Sequence, residues 1–191
     1  MYYEFIKRAF DLTSTVILLL VLSVPILAIF LLVKLTSTGP VLYWSDRVGI
    51  HNKIFEMPKL RTMRMDTPDV ATHLLENPGR YLTPIGSFLR KFSLDELPQL
   101  WSVLKGDMSF VGPRPALHNQ ADLIGLRTKK GIHRLIPGIT GWAQVNGRDN
   151  ISIPIKVEYD EYYLHNRSFA LDLKIICMTI LRALKAEGVR H

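Results

Sequence analysis

The sequence predicts an α+β protein, mostly helical, in which an N-terminal apolar helix leads into a helical domain carrying a small β-hairpin. Three features carry this expectation. An uncharged run from Val16 to Val33 is about 18 residues long, near the lower limit for crossing a bilayer. Two β-prone segments, Val41 to Trp44 and Ile54 to Met57, flank the turn residues Gly49-Ile50-His51-Asn52. Gly and Pro breaks along the rest of the chain delimit several helix candidates, the last of which, Leu171 to Ala186, shows helical spacing of its apolar residues. With 191 residues there is room for one domain beside the apolar run, so the expected division is a membrane helix at 1–38 and a body at 39–191.

If helical, the apolar run is roughly 27 Å long at ~1.5 Å per residue. No small-residue cleavage site follows it, so it is expected to be retained rather than removed as a signal peptide. Lys7 and Arg8 precede the run and Lys34 and Arg47 follow it, so the distribution of cations favours neither end as the inner one. Pro25 removes a backbone hydrogen bond in mid-run, and Ser23 is placed to take up a freed carbonyl. A kinked, re-entrant helix and a single-pass helix with a tolerated proline both fit. A helix buried in a soluble core fits less well, because the run is apolar on every side.

Gly39-Pro40 ends this helix and the hairpin follows. Asp66 to Arg80 is polar, contains Pro68, Pro78 and Gly79, and is expected to be irregular. Thr83-Pro84 suits the start of a short helix within Tyr81 to Arg90, and Pro98 to Leu104 is expected to be helical and to stop at Gly106. Further helices are expected at His118 to Arg127, Ile155 to Asn166 and Leu171 to Ala186, with a glycine-punctuated loop from Pro137 to Arg148. In the last helix Leu173, Ile176, Ile180, Leu181 and Leu184 follow helical spacing among Lys174, Arg182 and Lys185. Such a basic amphipathic helix lies at a membrane interface or packs on the core.

The formal charge of +7 calls for an anionic partner. Nucleic acid is disfavoured, since no zinc-finger spacing or RNA-binding signature occurs; acidic lipids and phosphorylated substrates account for the charge. The single cysteine, Cys177, forms no internal disulfide, which suits a reducing compartment and a cytoplasmic body.

Chemistry concentrates in Ser93-Leu94-Asp95-Glu96-Leu97-Pro98, followed by Gly112-Pro113-Arg114-Pro115. Ser93 and Glu96 fit a capping box, yet Pro98 would then fall inside the helix. A helix beginning at Pro98 instead leaves Asp95 and Glu96 in the preceding turn, where the positive end of the helix dipole favours ionised carboxylates. The prolines around Arg114 stiffen a turn that presents a guanidinium suited to bidentate phosphate binding. Lys59, Arg61 and Arg148 add cations beside turns. No H-E-x-x-H, P-loop, G-x-G-x-x-G or nucleophile elbow is present.

With these motifs the chain resembles the monotopic phosphoglycosyl transferase family of bacterial sugar transferases. The likeness rests on Lys7-Arg8 to Asp11, Lys59-Leu60-Arg61-Thr62-Met63, Ser93 to Leu100, Lys105 to Pro115, Pro137 to Arg148 and Tyr159-Asp160-Glu161-Tyr162-Tyr163. It implies transfer of a sugar 1-phosphate from a UDP-sugar, expected to carry an N-acetylated amino sugar, to undecaprenyl phosphate with release of UMP. The same resemblance makes Asp95 the nucleophile and Glu96 its dyad partner, with Mg²⁺ at the diphosphate and Asp95 as its contact. Lys59, Arg61, Arg114 and Arg148 would bind phosphate or nucleotide, and Asp160 matches a polar active-site position. A re-entrant helix broken at Ser23 and Pro25, entering from the cytoplasmic face of the bacterial inner membrane among its lipids, completes the expectation. The Ser23-Val24-Pro25 spacing and Asn52 in the hairpin turn depart from the usual pattern. A metal-dependent hydrolase of a lipid-linked or nucleotide diphosphate, and a non-catalytic membrane adaptor, are the competing functions.

Overall fold

The computed structural model describes residues 2–68, 77–147 and 151–184. It is α+β and mostly helical. An N-terminal helix α1 (Tyr2–Val21) meets α2 (Ser23–Thr36) at a 65° bend. The backbone breaks at Leu22, where Pro25 has no N–H to offer and the Ser23 hydroxyl donates to the Leu20 carbonyl at 2.8 Å. No single helix among the described residues is long and apolar enough to cross a membrane, but the bent pair satisfies length and composition together. Leu20, Val21, Val24 and Leu27 at the bend are each at least 67% exposed, so among the described residues none covers the apex.

The first turns of α1 are fastened to the body by polar side chains. Lys7 pairs with Asp172 at 2.8 Å, and the Tyr163 hydroxyl donates to the same carboxylate at 2.7 Å. Arg8 donates to the carbonyls of Val103 and Leu104, and Asp11 accepts the Phe110 N–H. Residues 7, 8 and 11 share one helical face, so one stripe makes all of these bonds. The amino-terminal turns of the 1–38 segment are therefore built into the 39–191 body.

The hairpin forms as expected but longer: β1 (Leu42–Val48) pairs antiparallel with β2 (Ile54–Leu60), from Leu42 opposite Leu60 to Val48 opposite Ile54. His51 and Asn52 in its turn both adopt positive φ, of 54° and 59°, so Asn52 fills the left-handed position without glycine. Beyond the turn Pro78–Tyr81, α3 (Gly86–Lys91) starts later than the sequence suggests. Thr83 donates its N–H to the Thr62 carbonyl, and Leu82 bridges to Met63, which claims these residues for extended pairing before the helix begins.

A 3-10 turn (Leu94–Glu96) precedes α4 (Gln99–Lys105), which stops at Gly106 with φ of 92°. Then follow β3 (Ser109–Val111), β4 (Ala116–Leu117), α5 (Ala121–Lys129), a 3-10 turn (Ile132–Arg134), β5 (Gly138–Thr140), α6 (Trp142–Asn146), α7 (Ile153–Asn166) and α8 (Phe169–Leu184). β4 extends the hairpin as a third strand beside β1, while β3 and β5 pair in parallel. The segment expected to be a loop from Pro137 thus contributes a strand and a short helix; partners distant in sequence, not local pattern, decide this. The core centres on Val111, Leu123, Ile132, Val157, Tyr163 and Ile175.

In α8 the apolar residues Leu173, Ile180 and Leu181 are at least 40% exposed, while Asp172 and Ile175 face the body. The expected stripe is therefore split: Leu173, Ile180 and Leu181 point outward, whereas Ile176 packs against the core. Lys185 and Ala186 lie outside the described residues.

Candidate active site

Ser93 takes a left-handed φ of 54° and makes no side-chain cap, so the capping box is absent and Pro98 precedes α4. This tight entry sets Asp95 and Glu96 in a turn against the end of β2. Lys59 reaches the Glu96 Oε1 at 2.8 Å, and Arg114 reaches the same oxygen at 2.6 Å through Nη2. Arg114 Nη1 approaches Oε2 at 3.5 Å. Burial pushes the Glu96 carboxyl up, but the Arg114 guanidinium and the Lys59 ammonium outweigh it and hold the group well below the usual carboxylate range.

Asp95 has the opposite environment. It is 9% exposed, and among the described residues no side-chain hydrogen bond or ion pair engages its carboxylate. Burial pushes its carboxyl above the ordinary aspartate value, with the Lys59 charge acting against the shift and the Glu96 charge reinforcing it. The dipole expected to depress it is outweighed by desolvation, α4 having only two turns to offer. The dyad is thus asymmetric: Glu96 is paired with two cations, whereas among the described residues no other side chain pairs with Asp95, whose carboxyl is raised by burial against the pull of its own backbone N–H.

The Arg114 turn lies where β3 leaves its parallel pairing with β5. A Cβ on Gly112 would meet the Ile136 carbonyl oxygen at 2.4 Å, and one on Gly138 would meet the Gly112 nitrogen at 2.1 Å. Only glycine, which has no Cβ, allows the two backbones this close. Arg47, on β1, is held by Ser45 Oγ and the Pro115 carbonyl, and lies within the field of both Arg114 and Glu96. Burial and the neighbouring Arg114 bring it down to about 10, so it remains a cation at neutral pH.

Beside the dyad opens an apolar cleft of about 410 Å³, walled by Leu19, Ile26 and Phe30 of the bent helices and by Trp44, Leu97 and Trp101 of the body. Trp44 and Trp101 are 47% and 54% exposed there.

A family model described as bacterial sugar transferase matches residues 2–186. The chain belongs to that family. It is 48% identical over 188 residues to the uncharacterized sugar transferase EpsL of Bacillus subtilis, covering 97% of this chain and 91% of that protein. It is 38% identical over 193 residues to the UDP-N-acetylgalactosamine-undecaprenyl-phosphate N-acetylgalactosaminephosphotransferase of Aeromonas hydrophila, covering 98% of this chain and 46% of the relative. The UDP-glucose:undecaprenyl-phosphate glucose-1-phosphate transferase of Escherichia coli is 39% identical over 185 residues, covering 93% of this chain and 40% of the relative. The chain thus spans nearly all of the first relative and under half of the two longer ones.

Within this sugar transferase the residues that the sequence singles out separate into groups. Lys59, Asp95, Glu96 and Arg114 converge. Arg61 does not join them: its guanidinium donates to the Ser37 carbonyl at 3.1 Å, to the Ser37 hydroxyl at 2.9 Å and to the Thr38 carbonyl, so it secures the end of α2. Asp160 is 1% exposed and binds Arg127 rather than facing the dyad. Arg148 lies outside the described residues. Ser23 and Pro25 sit at the observed bend.

Sequence reasoning misses Arg47, Arg90 and Arg127. Arg90 donates to the Thr62 hydroxyl and lies within the field of Asp95. Arg47 lies between the expected strand, Val41 to Trp44, and the turn at Gly49, and Arg127 at the end of an expected helix, so neither carries a signal of its own. The described residues contain no group of three or more His, Cys, Asp or Glu side chains able to hold a metal alone. With Glu96 Oε1 taken up by Lys59 and Arg114, Asp95 is the dyad carboxylate without a cationic side chain bonded to it. That donor set fits Mg²⁺, which commonly takes one or two protein carboxylates and fills its remaining positions with substrate phosphates and water.

Proposed function

We propose that this sugar transferase moves a sugar 1-phosphate from a UDP-sugar to undecaprenyl phosphate, releasing UMP. The named relatives from Aeromonas and Escherichia carry that type of reaction in their names. The observation that carries the assignment is the asymmetry of the dyad: one carboxylate paired twice, its neighbour buried, raised and unpaired.

In the first displacement an Asp95 carboxylate oxygen attacks the phosphorus bearing the sugar. A bond forms between Asp95 and phosphorus as the pyrophosphate bond breaks, and UMP departs. In the second, a phosphate oxygen of undecaprenyl phosphate attacks the same phosphorus, the Asp95 bond breaks, and the carboxylate returns. Lys59 and Arg114, aligned by Glu96, lower the repulsion between Asp95 and an anionic phosphate. Mg²⁺, held by Asp95 and the diphosphate, would supply further charge neutralisation.

The apolar cleft beside the dyad offers a path for the polyprenyl chain from the lipid to the chemistry. Because Lys7, Arg8 and Asp11 are bonded to the same body that continues from Leu42, both ends of the bent helix pair return to one side. This supports a re-entrant helix and a body on the cytoplasmic face of the inner membrane, where UDP-sugars are available; the exposed apolar face of α8 suits the interface. The relatives' names span N-acetylgalactosamine, glucose and galactose, and an N-acetylated amino sugar is the expected donor.

The test uses purified full-length protein with Mg²⁺, undecaprenyl phosphate and UDP-glucose, UDP-galactose, UDP-N-acetylglucosamine and UDP-N-acetylgalactosamine in turn. UMP release that requires the lipid and is lost in Asp95→Asn is expected. Lipid-independent release would instead establish a hydrolase, and no release with any donor would leave a binding function.

A further inference from the structure

A Pro-Arg-Pro turn has a particular weakness: Pro113 and Pro115 offer no N–H, so the turn has few donors with which to hold itself. Its three carbonyls are held from outside instead. Gly138 N–H donates to the Pro113 carbonyl at 3.0 Å, Arg127 Nη1 to the Arg114 carbonyl at 2.8 Å, and Arg47 Nη1 to the Pro115 carbonyl at 3.3 Å. Arg127 is in turn fixed by its other edge, with Nε and Nη2 on Asp160 Oδ2 at 2.9 and 2.6 Å. A cavity of about 30 Å³ borders the turn between Arg114, Arg127 and His133, so packing alone does not immobilise it.

We propose that the buried Arg127–Asp160 pair is a positioning device for Arg114, in which Arg127 spans from the Asp160 carboxylate to the Arg114 carbonyl and thereby aims the Arg114 guanidinium at Glu96. The side chains of Arg127 and Asp160 are 10% and 2% exposed. A buried ion pair returns little more than its desolvation cost, so stability alone gives this pair no advantage over an apolar one. What the planar guanidinium supplies is direction: five donors in a rigid fork hold a carboxylate and a carbonyl in fixed relative orientation, whereas the three donors of a lysine ammonium rotate. The Asp160 of α7 thus acts on the dyad through α5 and the turn without touching substrate. The inference rests on the assignment of Arg114 to the transfer site.

The test is a double-mutant cycle on the full-length protein, with UMP release measured using undecaprenyl phosphate and the most active of the four UDP-sugars, beside thermal unfolding. Arg114→Lys is expected to lower kcat/KM by roughly 10²-fold or more, and Arg127→Lys by roughly 10-fold or more, with cooperative unfolding kept. In the Arg114→Lys background Arg127→Lys should cost less than about 2-fold, because the group it aims is gone. Asp160→Asn should reproduce the same non-additivity from the other end of the pair. Equal fold-losses in both backgrounds, or wild-type activity in Arg127→Lys, would overturn the positioning role while leaving the transfer site intact. Wild-type activity in Arg114→Lys would remove the site assignment itself. Loss of cooperative unfolding in both Arg127→Lys and Asp160→Asn would also overturn it, since the pair would then be a requirement of the fold.

Discussion

Replacing Glu96 by Gln keeps the shape of the side chain and removes the charge that two cations share. Arg114 sits 2.6 Å and Lys59 2.8 Å from that carboxylate, with side chains 39% and 17% exposed. At an effective dielectric of about 20 each ion pair carries roughly 6 kcal/mol of gross attraction. Desolvation of the three groups, and solvent around the more open Arg114, take most of this back. A net cost of about 2–3 kcal/mol remains when one partner of such a cluster is removed. If the cluster is aligned for catalysis, that cost corresponds to a loss of roughly 30- to 150-fold in rate.

The loss is expected in kcat, not in a raised KM. Removing an anion makes the site more attractive to a diphosphate, while Lys59, no longer neutralised, draws on Asp95 and lowers its basicity. The assay is UMP release under saturating lipid, with intact-mass detection of the phosphosugar adduct on Asp95. Stability follows the same pair. Because the folded-state value of Glu96 is depressed, its contribution is present above the unfolded value of about 4.3 and is lost as pH falls through the folded one. Glu96→Gln should therefore melt below wild type at pH 7 and converge with it in strong acid. A variant that keeps kcat within about 3-fold of wild type, or that loses activity only through KM, would refute the role given to Glu96.

Asp95→Asn should abolish adduct and turnover yet melt at or above the wild-type temperature at pH 7. The raised folded-state value means that ionising Asp95 costs stability, a cost absent below the unfolded value of about 3.9 and fully present once pH has risen through the folded one. Melting curves at pH 7 and below pH 4 check the sign, and the acid limb of kcat/KM should lie above an ordinary aspartate. Arg61→Met should lower the melting temperature by several degrees, at roughly 2–4 °C per kcal/mol for a chain of this size, while KM for the UDP-sugar stays within about 2-fold. A tenfold rise in KM would return Arg61 to the substrate. Gly138→Ala should cost more than about 3 kcal/mol and impair Arg114 with it, because its Cβ would lie 2.1 Å from the Gly112 nitrogen. Gly125→Ala, on a helix with open space around the new methyl, should stabilise by about 0.5–1 kcal/mol; denaturant melts compare the two.

Much of the architecture is legible in the sequence because it follows from local chemistry. The bend at Ser23 to Pro25 comes from a missing N–H, the hairpin from two β-prone runs around a turn, and the stop of α4 from Gly106 in the left-handed region. The convergence of Lys59, Asp95, Glu96 and Arg114 is foreshadowed only by the group, each motif being weak alone and the ordered set specific. Less legible is everything decided by partners far along the chain. The short strands Ser109–Val111 and Gly138–Thr140 carry no period of their own and exist because they pair with each other. Thr83 has the chemistry of a helix start, but its N–H goes to Thr62. Arg61 and Arg114 are both arginines beside turns; one faces helix-end carbonyls and the other a carboxylate, a difference no spacing encodes.

By itself, then, the sequence determined the helical α+β class and the apolar N-terminal segment with its break, since these follow from hydrophobic period and backbone capability. The tertiary structure alone decided which carboxylate of the dyad is paired with two cations and which is not, and that Asp160 is paired with Arg127. The physical reason is that pKa, pairing and burial depend on three-dimensional neighbours: Lys59 and Arg114 come to Glu96 from a strand and a turn 37 and 18 residues away, and at that range only the folded backbone fixes the geometry.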